Sequence, residues 1–179
     1  MPYRPFANQE YRNVFQTWVE IPALLRLFPV AAGDRILEVG CGRGVALPRL
    51  AKLCRPSRLV GVDIEQAMIE RASERVALAG VSAELYSADV RELPFADAEF
   101  DVVIDFGTCY HIDRPGAALR EIARVLRDGG EFIHEAPLAQ FIAHPIRGGR
   151  RRLPWDASVE LAAERRAVLW ASRRKVANH

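Results

Sequence analysis

Cysteine is scarce in this chain. Cys41, Cys54 and Cys109 are the whole complement, odd in number and far apart, which excludes a disulfide framework and a cysteine-based zinc site. No metal is expected. Lysine is scarcer still: of 25 basic residues only Lys52 and Lys175 are lysine. No lysine follows the chain's glycine cluster, so a phosphate loop of the G-x-x-x-x-G-K-[ST] type is excluded. No uninterrupted apolar run approaches the ~18 residues that a membrane span needs. The opening MPYRPFANQEYRNVF has no signal-peptide stretch, so a cytoplasmic protein is expected. Internal repeats and low-complexity segments are missing as well.

What is present suits one globular domain: 179 residues, 50% hydrophobic, 27% charged. The net charge of +2 hides an asymmetry. Residues 1–135 carry 16 basic and 20 acidic groups, whereas residues 136–179 carry 9 basic and 3 acidic groups. A basic tail can face an anionic partner. Here no stacking aromatics interleave with the arginines, as a single-strand binder requires, so a solvated surface is the simpler reading and nucleic acid is not an expected partner.

Apolar periodicity divides the chain into alternating elements. Val14, Trp18, Ile21, Leu24, Leu25 and Phe28 mark helix over 8–28, divided near Pro22. Strands are expected at 35–39, 58–62, 83–87, 100–106 and 131–135. Helices are expected at 45–54, 65–79 and 116–127, the last ended by Asp128-Gly129-Gly130. Inward positions are Leu47, Leu50 and Leu53 in the first of these, and Met68, Ala72, Val76 and Ala79 in the second. This order means crossover units and an α/β doubly wound, mostly parallel sheet flanked by helices. In residues 136–179, Val159, Leu161 and Ala163 alternate, as do Val168 and Trp170. An antiparallel hairpin on a shortened sheet edge is the preferred reading, with helix the other. The domain then divides into an N-terminal helical lid (1–33), a core (34–135) and a basic edge segment (136–179). Trp155 and Trp170 on that edge can support a dimer, so monomer and homodimer both stay open.

The strongest local signal is ILEVGCGRG, residues 36–44. Gly40, Gly42 and Gly44 follow a strand and precede a helix. Glycine there permits a sharp turn and close approach of a ligand to the backbone, outside the carboxyl ends of the strands where ligands of doubly wound folds bind. A dinucleotide fingerprint would need glycine at position 45, which is Val45. Asp63 ends the second strand. A carboxylate there can accept both hydroxyls of a ribose, or start the following helix. Asp89-Val90 follows the third strand, where a carboxylate and a neighbouring N–H can meet an adenine edge. The three features stand at the mouths of three adjacent strands.

ILEVGCGRG, LVGVDIEQAMIERA, SADVRELPF, FDVVIDFGTCYHI and LREIARVLRDGGEFIHE together resemble the successive motifs of class I S-adenosylmethionine-dependent methyltransferases, over residues 34–135. The resemblance is to the small-molecule type that includes ubiquinone and menaquinone methyltransferases. It implies the Rossmann-like methyltransferase fold, a seven-stranded sheet with its last strand antiparallel, and S-adenosyl-L-methionine as cofactor with S-adenosyl-L-homocysteine as product. By that resemblance Glu38, Gly40, Cys41, Gly42 and Gly44 meet the methionine end. Asp63 takes the ribose hydroxyls, Ile64 and Met68 flank the adenine, and Asp89 and Val90 bind its edge. Asp105 and Phe106 border the transferred methyl.

The implied reaction is an in-line displacement at a sulfonium methyl, which asks the protein mainly to align reactants and exclude water. Tyr3, Phe6, Tyr11 and Trp18 are candidates for a lid, or for plain helix packing. His111 is the candidate general base, since its unperturbed pKa lies near neutrality; Tyr110 can orient a substrate atom. His134, within the fifth strand, is expected to be packed there. A small-molecule acceptor is the expected partner. Competing readings are a nicotinamide-dependent oxidoreductase, which Val45 opposes, a non-catalytic cofactor-binding subunit, and a macromolecular methyltransferase.

Overall fold

The computed structural model describes residues 9–135, 161–166 and 170–177. Helix α1 (Gln9–Phe15) runs through a π-turn (Gln16–Glu20) into α2 (Ile21–Leu27). Then follow β1 (Arg35–Val39), α3 (Leu47–Cys54), β2 (Arg58–Asp63), α4 (Gln66–Leu78) and β3 (Glu84–Ser87). The rest comprises β4 (Phe100–Asp105), α5 (Thr108–His111), α6 (Pro115–Val125), β5 (Leu126–Glu135), β6 (Leu161–Arg166) and β7 (Trp170–Lys175).

The sheet has seven strands in the order β3-β2-β1-β4-β5-β7-β6. β3 through β5 pair in parallel, β7 runs antiparallel to β5, and β6 antiparallel to β7. The doubly wound sheet and its antiparallel hairpin are as expected from the alternation. One face packs Leu37, Val103, Phe132 and the α6 residues Leu119 and Ile122. The other packs Ile36, Ile104 and Ile133 against α2, α3 and α4. Chain order reverses between β1 and β4. Their carboxyl ends, Val39 beside Asp105, open the crevice in which such sheets hold ligands.

Several expectations need correction. The last core helix stops at Val125, and β5 starts at once with Leu126, taking Asp128-Gly129-Gly130 into the strand. A register shift opposite Phe100 and Val102 absorbs the extra length. Helix α5 was not foreseen. In α3, Leu53 is exposed and Cys54 takes the buried position; in α4, Ile69 is buried with Ala72 and Val76. The largest departure is the N-terminal helix. Val14 and Trp18 are exposed, whereas Gln16 and Glu20 are buried. The π-turn changes the helical phase between α1 and α2, so Val14 and Trp18 upstream share no face with Ile21, Leu24 and Phe28 downstream. Pro22 stands in the first turn of α2, as expected.

On the hairpin, Trp170 is buried and meets the Phe106 ring edge-on at 5.2 Å, so it offers no dimer surface. Arg173 is buried too, not part of a solvated face. His134 is buried and stacks on Phe132. Tyr3, Phe6, His144, Trp155, Val159, Val168, His179 and the arginines at 147 and 150–152 lie outside the described residues. Among the described residues no helix is long and apolar enough to cross a membrane, and no cluster of His, Cys, Asp and Glu could hold a metal.

A candidate cofactor and acceptor cleft

A cleft of about 360 Å³ opens at the carboxyl ends of β1, β2 and β4. Its floor is the glycine turn. Gly40, Gly42 and Gly44 all have positive φ, at 65°, 51° and 66°, and their surroundings differ. A Cβ on Gly40 would stand 1.7 Å from Thr108 Oγ1, so glycine lets β1 and α5 touch. A Cβ on Gly42 would meet nothing within 4 Å and would project into open space. Gly44 does not line the cleft. A Cβ there would press on Ala72 of α4 at 2.9 Å, so its smallness serves packing between the turn and α4, not the contact with a ligand expected of it.

Asp63 ties the turn to the next crossover. Its Oδ2 accepts the Gly42 N–H at 2.9 Å and its Oδ1 the Glu65 N–H at 3.0 Å. Each oxygen keeps accepting capacity after one backbone bond. The ribose and helix-start readings of Asp63 are therefore compatible. Asp89 is gripped by Arg91, whose Nε lies 2.9 Å from Oδ1 and whose Nη2 lies 2.6 Å from Oδ2. That guanidinium holds the carboxyl below its usual range, so Asp89 faces the cleft as an acceptor only.

Glu38 sits at the end of β1 and is buried, with Oε2 lacking any hydrogen-bond partner. Burial pushes its pKa up to about 8, and Asp63 and Asp105 add to the rise. An unpaired buried carboxyl oxygen is costly. A cation reaching it from the cleft would remove that cost.

Of the expected residues, Glu38, Gly40, Cys41, Gly42, Asp63, Ile64, Met68, Asp89, Val90, Phe106 and His111 line this one cleft. Asp105 and Tyr110 do not. Asp105 is fully buried, accepting the N–H groups of Gly107, Thr108 and Cys109 at 2.9, 2.6 and 3.2 Å. It braces the start of α5 rather than bordering a methyl group. Tyr110 is buried and donates its hydroxyl to the Glu135 carbonyl at 3.1 Å, so that hydroxyl is already committed within the protein. The Cys109 thiol is buried and held protonated by that burial, which suits no nucleophile.

Other cleft residues had no expected role. Arg12, Asn13 and Gln16 come from α1 and the π-turn, Thr108 from α5 and Glu135 from the end of β5. Arg12 Nη1 bonds Glu20, and Arg12 Nη2 lies 3.1 Å from Glu135 Oε1. Trp18 points away from the cleft, with the Arg49 guanidinium 4.6 Å over its ring, so it is no part of a lid's inner face. The polar spacing of Arg12, Gln16 and Glu20 at four-residue steps was the available signal. The apolar stripe beside it pointed to the opposite face.

Residues 37–134 match the family described as methyltransferase domain. The chain belongs to that family. Its fold companion, a SAM-dependent methyltransferase from Aquifex aeolicus, aligns with a TM-score of 0.73 at 17% identity, over 96% of this chain and 98% of that one. The 27-O-demethylrifamycin SV methyltransferase of Amycolatopsis mediterranei is 35% identical over 128 residues, 70% of this chain and 45% of that protein. The fatty-acid O-methyltransferase of Mycolicibacterium smegmatis is 38% identical over 102 residues, 57% of this chain and 36% of that protein. The chain thus spans less than half the length of these two relatives.

The residues of the cleft fit S-adenosyl-L-methionine, the cofactor that the motif resemblance implies. The unpaired Glu38 oxygen suits a bound cation. Open space over Gly42 admits a ligand against bare backbone. Asp63 and Asp89 present acceptors at adjacent strand ends.

Proposed function

We propose that the domain methylates a small-molecule acceptor by in-line displacement. When bound, the cofactor supplies an electrophilic methyl: the acceptor's lone pair bonds the carbon, the carbon–sulfur pair returns to sulfur, and S-adenosyl-L-homocysteine leaves. Glu38 and the backbone of Gly40, Cys41 and Gly42 hold the amino-acid end. Asp63 takes the ribose hydroxyls, Ile64 and Met68 the faces of the base, and Asp89 with Val90 its edge. Phe106 borders the reacting carbon. The described helices before β1 serve as lid, residues 34–135 as cofactor core, and β6 with β7 as edge.

His111 lines the same cleft, at the end of α5. In this reading it receives the acceptor's proton, which general base catalysis makes worth roughly 10²–10⁴-fold. The His111→Ala protein is expected to keep its affinity for S-adenosyl-L-homocysteine and lose turnover. An unaltered pH–rate profile would remove His111 as the base.

The observation that carries the reading is the buried, unpartnered Glu38 oxygen in a cleft shared with Asp63 and Asp89. The relatives named above are, by name, methyltransferases of 27-O-demethylrifamycin SV and of fatty acids, which supports a small-molecule acceptor. Titration calorimetry with S-adenosyl-L-homocysteine tests it. Binding in the micromolar range supports the reading, and no heat at millimolar ligand refutes it. Release of that product on incubation with cofactor and acceptor separates turnover from mere binding.

A further inference from the structure

We propose that the acceptor presents a hydroxyl or an amine, and that Glu135 selects it over a carboxylate. This rests on the methyltransferase reading above. The wall formed by α1, the π-turn and the end of β5 brings Arg12, Asn13, Gln16 and Glu135 to the cleft. Among the described residues of this wall Arg12 is the cation, and its charge is committed. Its guanidinium lies between Glu20 and Glu135, whose carboxyl groups are almost wholly buried. One cation between two carboxyls leaves the group neutral or negative. Arg91, at the Asp89 side, is likewise bracketed by Asp89 and Asp113. Arg43 belongs to the glycine turn, beside the amino-acid end.

The wall therefore offers the carboxylate of Glu135, which only accepts, beside the carboxamides of Asn13 and Gln16, which accept through oxygen and donate through nitrogen. A hydroxyl or ammonium can donate to them. A carboxylate has no proton to give and meets Glu135 with like charge, in a site where water screens poorly. Glu135 is well fixed for this task. Its backbone belongs to β5, paired with Trp170, and its side chain is 3% exposed.

The test uses the full chain loaded with S-adenosyl-L-homocysteine and three matched probes: 3-phenylpropanol, 3-phenylpropylamine and 3-phenylpropanoate. Ligand-observed NMR titration gives each affinity. Alcohol and amine are expected to bind at least about tenfold more tightly than the carboxylate, since like-charge contact costs more than the 1.4 kcal/mol that tenfold represents. In Glu135→Gln the charge is removed and Arg12 is partly freed, so the carboxylate should come within about threefold of the alcohol. Equal or tighter binding of the carboxylate to the unmodified chain overturns the proposal, whether or not the variant folds. So does a selectivity that Glu135→Gln leaves unmoved, or the failure of all three probes to bind. If S-adenosyl-L-homocysteine binds while selectivity is lacking, only the acceptor proposal falls. If it does not bind, the reading beneath falls as well.

Discussion

The two halves of the cleft are built by different means. The half around the glycine turn uses backbone groups and short carboxylates at strand ends: Gly40, Gly42, Asp63 and Asp89. Each ends a strand or follows one within three residues. The other half uses long side chains from distant parts of the chain, with Arg12 bonded to Glu135 across 123 residues. The first half is rigid because sheet hydrogen bonds fix it. The second depends on one guanidinium joining the N-terminal helix to β5. A scaffold of this kind can keep one half constant while the other changes its ligand.

The sharpest way to break this comparison is within the glycine turn itself. Gly40→Ala places a Cβ 1.7 Å from Thr108 Oγ1, at a φ of 65°. The helix α5 must then move, at roughly 3 kcal/mol or more from overpacking and left-handed strain together. Stability and cofactor affinity should fall together. The Cβ of Gly42→Val meets no protein atom within 4 Å, and the strain of its φ costs about 1–2 kcal/mol. It should stay folded in thermal melts yet lose S-adenosyl-L-homocysteine affinity by roughly 100-fold, or about 2.7 kcal/mol. A soluble Gly42→Val protein with normal calorimetric affinity would refute the turn as the ligand's floor.

Arg12→Ala probes the other half. It removes the guanidinium that the buried carboxyls of Glu20 and Glu135 share, and stripping one partner from such a group costs about 3–5 kcal/mol. Local release of α1 caps the loss, so a destabilisation of about 2–4 kcal/mol is expected in urea melts. Affinity for S-adenosyl-L-homocysteine should change little, because the glycine half is untouched. If affinity instead collapses, the two halves are not separable. Asp63→Ala is the mirror experiment and a smaller one. It removes acceptors for the ribose and costs about 1–3 kcal/mol of binding. It also frees the N–H groups of Gly42 and Glu65, so a modest drop in melting temperature should accompany it. Unchanged calorimetric affinity would contradict the ribose role.

The same division decides what was legible in the sequence. Strands and glycine turn were readable because period and composition act locally: ILEV ends in glycines, and LVGVD ends in its acid. The cleft residues of that half were identified individually. Gly44 was misassigned because spacing cannot show that Ala72 stands against it. Asp105 and Tyr110 fall outside the cleft lining: the Asp105 carboxylate at the end of β4 turns to the N–H groups at the start of α5, and that four-residue helix, too short to leave a periodic trace, buries Tyr110. The acceptor half was not legible. Arg12, Gln16 and Glu135 form no motif in sequence; they meet through tertiary pairing, after a π-turn has shifted the helical phase that periodicity assumes.

Glu38 gives the gentlest test, since it needs no mutation to read. Its folded pKa is about 8, against an ordinary 4.5, chiefly from burial. Between those values the folded chain holds a proton that the unfolded chain has released. Stability from this group is therefore full below about pH 4.5 and is lost as pH rises towards 8, by at most about 1.4 kcal/mol per pH unit. Glu38→Gln should flatten that part of the stability profile. A cation bound at the free oxygen favours the ionised form, so binding near neutral pH must expel the proton. Calorimetric enthalpies for S-adenosyl-L-homocysteine, whose ammonium carries the charge, should then differ between buffers of different ionisation enthalpy at pH 7. In Glu38→Gln the difference should vanish. Buffer-independent enthalpies in the unmodified chain would mean that the charged end of the ligand lies elsewhere, and the glycine half would lose the feature that makes it specific for a cation.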